Sequence, residues 1–227
     1  MRHPSAVVLL SGGMDSTTCL AIATHEGYDC YAMSFAYGQK ATAELNAAKL
    51  ISKQFGVKAH NIVPMDFLKD LGGSALTSDQ LSVPEYEASD DIPITYVPAR
   101  NTMFLSMALG WAEMLRADHI FIGVSEIDYS GYPDCRPEYI AAFEKMANLA
   151  TKRAVEGQPL KIHAPLLHLS KAQTILKGAA LGVDYSISVS CYSANDRGEA
   201  CGRCESCVLR QKGFREARMD DSTRYYQ

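Results

Sequence analysis

Five short apolar stretches alternate along the chain with segments whose apolar residues recur every three or four positions. Ala6-Val7-Val8-Leu9-Leu10 reads as a buried strand, and so do Cys30 to Phe35, Ala59 to Pro64, Asp118 to Gly123 and Lys161 to Ala164. Between them, Thr17 to His25 predicts a helix that Gly27 ends, and Leu45, Ala48, Ile51 and Phe55 mark a second that Gly56 stops. Arg100 to Arg116 predicts a third, with Phe104, Met107, Ala108, Trp111 and Leu115 on one face. Pro137 suits the first turn of a fourth. Ser170-Lys171-Ala172-Gln173 is a capping box for a fifth, with Gly182 as its stop. Strict alternation of strand and helix predicts an α/β fold: a doubly wound, mainly parallel five-stranded sheet with helices on both faces. Residues 1–186 are expected to form this domain, and residues 187–227 a small C-terminal segment packed on it. Ligands of such sheets bind beyond the carboxyl ends of the strands, which places Ser11 to Ser16 and Tyr37 to Lys40 on one rim.

Two stretches break the rhythm. Leu71 to Pro98 holds a Gly-Gly pair, three prolines and the acids Asp79, Glu85, Glu87, Asp90 and Asp91. An irregular segment of that length predicts a lid or a mobile loop, or else a solvated excursion without a role. Val124 to Arg136 gathers Asp128, Tyr132, Asp134, Cys135 and Arg136 at the end of the fourth strand, the mixture of stacking faces and fixed polar groups that a small planar ligand needs. His119 reads as a strand-end residue rather than a ligand.

Composition narrows the field. The chain has 227 residues, 47% of them apolar and 21% charged, enough for a sizeable core. A net charge of −4 argues against a protein that coats nucleic acid. No apolar run approaches the length of a membrane span, and Met1 to Pro4 leads directly into the first strand, so the expectation is a cytoplasmic protein without a signal peptide.

Candidate chemistry concentrates in two places. Ser11-Gly12-Gly13-Met14-Asp15-Ser16 joins a buried strand to a helix, the arrangement that presents backbone N–H groups and a helix N-terminus to an anion. It is neither the G-x-x-x-x-G-K-[ST] phosphate loop nor the G-x-G-x-x-G dinucleotide turn. It matches S-G-G-x-D-S, and so resembles the pyrophosphate loop of ATP pyrophosphatases, which cleave ATP between the α and β phosphates. Asp15 fits either contact with Mg²⁺ or a helix cap. Lys171, in the first turn of its helix, is within reach of a phosphate or else faces solvent.

The second place is Cys191, Cys201, Cys204 and Cys207, spaced C-x9-C-x2-C-x2-C. Four thiolates close a saturated tetrahedral site, so one structural Zn²⁺ is expected, with an iron–sulfur cluster as the rival. Of the other thiols, Cys19 reads as core and Cys30 as a strand residue, while Cys135 lies in the polar loop.

Tyr37-Gly38-Gln39, Val97-Pro98-Ala99-Arg100-Asn101, Ser130-Gly131-Tyr132-Pro133-Asp134-Cys135-Arg136 and the four cysteines, in that order, resemble the 7-cyano-7-deazaguanine synthases of queuosine precursor biosynthesis. The likeness runs from about Ala6 to about Phe214, and the most specific stretch is SGYPDCR. One departure stands out: the family usually has a histidine soon after Tyr-Gly-Gln, where this chain has Lys40-Ala41-Thr42. The resemblance implies an adenine nucleotide alpha hydrolase-like fold. It also implies conversion of 7-carboxy-7-deazaguanine and ammonia to the nitrile, with ATP released as AMP and pyrophosphate and with Mg²⁺ bridging phosphate oxygens. Leu10, Ser11, Gly12, Gly13, Met14, Asp15, Ser16, Thr17 and Thr18 are then expected at ATP. Ser11, Asp15, Ser16, Lys40, Arg100 and Lys171 are expected in catalysis, and Asp128, Tyr132, Asp134 and Arg136 at the deazaguanine. No nucleic-acid or membrane partner is expected, free ammonia is the simplest nitrogen source, and a homodimer follows from the resemblance alone.

Two other readings compete. A tRNA-modifying enzyme of the same loop class would adenylate a base and insert sulfur, and would need a catalytic thiol. A zinc-bearing binding module would use Arg203, Arg210, Lys212, Arg215 and Arg218. These alternate with Glu205 and Glu216, a pattern that suits a solvated helix better.

Overall fold

The computed structural model describes residues 3–37, 43–78, 80–89, 91–126 and 131–226. Lys40 and Asp128, with Gly38, Gln39, Asp79, Asp90, Tyr129 and Ser130, lie outside them. The elements run β1 (Ser5–Leu9), α1 (Met14–His25), β2 (Asp29–Ala36), α2 (Ala43–Gln54), β3 (Ala59–Pro64) and α3 (Phe67–Leu71). They continue with α4 (Arg100–Leu115), β4 (His119–Phe121), α5 (Pro137–Ala150), α6 (Lys152–Val155), β5 (Lys161–His163), α7 (Lys171–Ala180) and α8 (Glu205–Ala217). The short helices α3 and α6 carry too few apolar positions for a periodicity to show, and the sequence reading missed both.

The five strands lie in the order β3-β2-β1-β4-β5 and every pairing is parallel. Alternation along β1 explains the two layers. Val7 and Leu9 point to a core built with Leu105, Ala108 and Ala112 of α4 and Ile140 and Phe143 of α5. Ala6 and Val8 point to the opposite face, among Cys19, Leu20 and Ala23 of α1 and Ala47, Ala48 and Ile51 of α2. A strand buried on both sides needs a continuous apolar run, which is what Ala6 to Leu10 supplies. A third cluster joins α1, α7 and α8 through Met14, Ala21, Ile175, Tyr185 and Phe214.

The sheet changes winding direction between β1 and β4, so a crevice opens at their carboxyl ends. The closeness of the turns there depends on glycine. A Cβ on Gly123, just after β4, would stand 3.1 Å from backbone atoms of Asp15 and Ser16. Gly12 has φ +94°, and a Cβ there would collide with the Glu44 carbonyl oxygen at the start of α2.

The chain after Ile187 folds back over this crevice. Val189 N–H donates to the Gly12 carbonyl at 2.9 Å. The end of the chain closes on the same segment, with Ala200 bridged to Tyr225. Residues 72–98 contain neither helix nor strand among those described. They are nonetheless packed: Ala75 N–H donates to Ile94 O at 2.9 Å, Tyr86 N–H donates to Arg203 O at 3.0 Å, and Val83 lies against the cysteine cluster.

Candidate active site

The turn after β1 is held by its own hydroxyls. Ser11 N–H donates to Ser16 Oγ at 3.2 Å, the two Oγ atoms are 3.0 Å apart, and Gly13 N–H donates to Ser11 Oγ at 3.2 Å. Met14 N–H donates to Ser190 Oγ at 3.1 Å, a partner contributed by the distant C-terminal segment. Gly13 occupies the N-cap position of α1 and has no side chain with which to cap it. Asp15 is thus not the cap. Its Oδ2 accepts from Lys171 Nζ at 2.7 Å, and the same ammonium reaches Ser125 Oγ at 3.2 Å. Lys171 is nearly buried, so the solvent-lysine alternative fails.

Two cavities meet at this turn. The first, about 220 Å³, is lined on one side by Leu10, Ser11, Gly13, Met14, Asp15 and Ser16. An apolar wall is formed by Leu9, Met33, Phe35, Phe104, Ile122 and Val124. Phe35 and Phe104 stack with ring centres 3.9 Å apart and ring planes nearly parallel. Arg100 closes the far end, its guanidinium 5.8 Å from the ring centres of Tyr37 and Phe104 and 3.4 Å from the Tyr37 hydroxyl. Ala99, at the N-cap of α4, has φ +54° and ψ +25°, a left-handed conformation that L residues rarely adopt; it is where the chain turns to deliver Arg100. Glu44 lines the same cavity, and burial pushes its carboxyl up to about 8, against the lowering pull of Arg100. An apolar, ring-lined slot opening onto helix N–H groups suits a planar ring attached to an anion.

The second cavity, about 640 Å³, begins at Met14, Asp15 and Lys171 and extends under residues 84–89 and 91–94 to the start of α8. Tyr132, Tyr192, Ser190 and Ser206 belong to the walls of both cavities. The structure therefore brings Ser11, Asp15, Ser16, Arg100, Lys171 and Tyr132 to one place.

Other predicted residues lie elsewhere. Gly12, Thr17 and Thr18 line neither cavity. Thr17 Oγ1 donates to Gly13 O at 2.7 Å, and Thr18 Oγ1 is 2.7 Å from the buried Tyr185 hydroxyl, so both side chains lock the turn to its surroundings. Asp134 lines neither cavity; its carboxylate accepts the Asn101 N–H at 2.8 Å and thereby satisfies the first turn of α4. Arg136 is exposed and away from both. Cys135 is buried at the edge of the first cavity and accepts from Asn101 Nδ2 at 3.1 Å. Glu44, Ser190, Tyr192 and Glu205 went unmarked in the sequence reading of the site.

The four cysteine sulfurs all lie within 4.8 Å of one another, with Cys191 to Cys204 at 4.0 Å and Cys201 to Cys207 at 3.9 Å. Ligands about 2.3 Å from a tetrahedral centre stand about 3.8 Å apart, so the set fits one metal ion. Backbone N–H groups of Ser193 and Cys201 point at Cys191 Sγ at 3.3 and 3.2 Å, as expected around a thiolate. Arg210, read from sequence as part of a solvated helix, is instead 3% exposed. It pairs with Asp221 at 3.1 Å and donates to Ser188 Oγ and Tyr185 O, tying α8 to the turn that precedes the cysteines. The basic stripe that a binding module would need is thereby interrupted.

Sheet order, glycine turn and crevice define an α/β protein of the ATP pyrophosphatase fold. The solved NMN synthetase of Francisella tularensis shares that fold, with a TM-score of 0.53 at 15% identity over 97% of this chain and 79% of that one. Sequence carries the assignment further. The chain belongs to the family described as queuosine biosynthesis protein QueC, whose model matches residues 5–218. It is 63% identical over 220 residues to the 7-cyano-7-deazaguanine synthase of Coxiella burnetii, covering 97% of each chain. It is 61% identical over 225 residues to the protein of the same name from Saccharophagus degradans, covering 99% of each. It is an enzyme of queuosine biosynthesis. Among the described residues no helix is long and apolar enough to cross a membrane.

Proposed function

We propose that the chain converts 7-carboxy-7-deazaguanine, ammonia and ATP to 7-cyano-7-deazaguanine, releasing AMP and pyrophosphate at each of two adenylations. The observation that carries this reading is the pair of cavities sharing a wall at Met14 and Asp15. The first suits an adenine nucleotide: apolar faces for the ring, and the N–H groups of the turn for phosphates. The second suits the other reactant, whose carboxylate would meet the nucleotide beside Lys171.

A carboxylate resists ammonia because oxide is a poor leaving group. When its oxygen attacks the α-phosphorus, pyrophosphate departs and an acyl adenylate forms. Ammonia then displaces AMP, loses a proton and leaves the amide. The amide oxygen attacks a second ATP in the same way. Loss of AMP from that adenylate, with the remaining N–H protons, gives the nitrile.

Here the protein acts mainly by position and charge. Gly13 and Met14 N–H groups, now satisfied by Ser11 and Ser190 hydroxyls, would turn to the departing pyrophosphate together with the Ser11 and Ser16 hydroxyls. Lys171 and Arg100 would offset charge on either side of the α-phosphorus. Mg²⁺ would supply further neutralisation of phosphate oxygens, and Asp15 is the carboxylate that would hold it. Zn²⁺ suits Cys191, Cys201, Cys204 and Cys207, which would saturate it and leave it a structural part. The chain acts on small molecules, with free ammonia as the nitrogen source.

The test is mass spectrometry of a reaction containing the protein, ATP, Mg²⁺, ammonium and 7-carboxy-7-deazaguanine. The expected products are the nitrile, AMP and pyrophosphate. Amide accumulating without nitrile would limit the chain to the first adenylation. Absence of substrate-dependent AMP from folded, metal-loaded protein would overturn the reading.

A further inference from the structure

The second cavity is far larger than a carboxylate requires, and the loop chemistry leaves most of it unassigned. Its walls hold five described carboxylates: Asp15, Glu85, Glu87, Asp91 and Glu205. Four are poor candidates for holding a neutral ring. Asp15 is paired with Lys171. Glu85 is exposed and lies 3.6 Å from Arg203. Asp91 is exposed and accepts the Ser89 hydroxyl at 3.3 Å, and Glu87 is exposed on the same irregular segment.

Glu205 differs. It is half-buried in the first turn of α8, between Cys204 and Cys207 of the metal-binding set, so its backbone is fixed from both sides. The Tyr132 hydroxyl, in the wall shared by both cavities, lies 3.4 Å from Glu205 Oε2. Helix α8 also measures a distance. Gly213 packs against Lys171 so tightly that a Cβ there would stand 2.8 Å from Lys171 Cβ. Glu205 lies eight residues earlier on the same helix, about 12 Å along its axis at 1.5 Å per residue. That separation is one between backbone positions; Lys171 and Glu205 both line the second cavity, whose volume of about 640 Å³ has room for a bicyclic base with its carboxyl at the Lys171 end and its far edge at the Glu205 end.

A 7-deazaguanine presents on that far edge two adjacent donors, the ring N1–H and the 2-amino group. The two oxygens of one carboxylate match such a pair, in a charge-assisted, bidentate contact. We propose that Glu205 is the specificity-determining residue of the second cavity, accepting from N1–H and the 2-amino group of the deazaguanine while the ring lies among Tyr86, Tyr132 and Tyr192. The cysteine segment then forms part of the substrate site as well as a staple for the end of the chain. This inference rests on the functional reading above.

Direct binding of 7-carboxy-7-deazaguanine and of its analogue lacking the 2-amino group, measured calorimetrically without ATP, separates the two. The wild-type protein should bind the base and discriminate against the analogue. Glu205→Gln should weaken base binding by about 10- to 100-fold, the scale of a lost charge-assisted contact, and the analogue's by less than about threefold. Glu205→Asp, which keeps the charge, should retain the preference for the base. Bound metal and melting temperature, measured alongside, exclude a collapsed cysteine site. Wild-type protein that binds no base would overturn the functional reading and Glu205 with it. Wild-type binding that Glu205→Gln leaves unchanged, or equal losses for base and analogue, would overturn Glu205 alone.

Discussion

The glycine turn and the cysteine segment reach the same crevice by different physics. The turn is made locally. β1 is buried on both faces, and the Ser11, Ser16 and Thr17 hydroxyls bond within a span of five residues. The cysteine segment has no sheet to rest on. Its cohesion comes from four sulfurs drawn to one point, a buried Arg210–Asp221 pair, the apolar cluster around Phe214, and single long-range bonds such as Ser190 to Met14. A site assembled from one self-sufficient half and one metal-dependent half should lose the halves separately.

The largest effect should come from breaking the dependent half. Cys204→Ser should release the bound metal, as measured by elemental analysis, and lower the melting temperature by on the order of 10 °C, or about 3–4 kcal/mol for a domain of this size. Far-ultraviolet circular dichroism below that temperature should still report the parallel sheet. Global unfolding at 25 °C would show that the sheet domain does not stand without the segment.

Next comes the junction. Lys171→Met removes the ammonium between the two cavities, and steady-state kinetics should show kcat/KM for the overall reaction falling by about 10²- to 10³-fold. Leaving Asp15 without that partner should also cost up to about 3 kcal/mol in chemical denaturation. Activity within a factor of three of wild type would remove Lys171 from the reaction. Smaller still is the strap between the halves. Ser190→Ala deprives the Met14 N–H of its acceptor and should cost about 1 kcal/mol, or roughly 2–4 °C by calorimetry.

A pH dependence stands apart from this ranking and concerns Glu44, beside Arg100 in the first cavity. Its folded-state pKa, about 8, lies above the ordinary 4.5, so the folded protein binds the extra proton between these values. Stability should therefore fall as pH rises from about 4.5 to about 8, and level off above. Glu44→Gln should flatten that part of the stability profile, and an unchanged slope would place the titration elsewhere.

The same contrast explains what the sequence disclosed. The sheet was legible because a strand buried on both faces has to be an unbroken apolar run, and because glycines and the Ser170 box punctuate the helices. The turn and the cysteines were legible because both are short motifs whose spacing is their function. The second cavity was not, because it arises where residues 84–89 and 91–94 and α8 close over Asp15 from far along the chain. Nothing local marks Ser190 as the acceptor for Met14, a residue 176 positions away. Asp134 shows the same limit: its polar neighbourhood resembled a ligand site, and only the structure places its carboxylate at the Asn101 N–H. Arg210 misled because charge alternation looks the same on a solvated helix and on one whose arginine finds Asp221. Glu205 carried one usable signal, a carboxylate lying between two metal-ligating cysteines.

The central claim is that the oxygens of the substrate carboxylate leave on AMP. The most direct measurement is ¹⁸O transfer from 7-[¹⁸O₂]carboxy-7-deazaguanine, followed by mass spectrometry of the nucleotide product. The account predicts that each AMP carries one ¹⁸O in its phosphate, two for each nitrile formed. Label released into water or found in pyrophosphate, with unlabelled AMP, would contradict it.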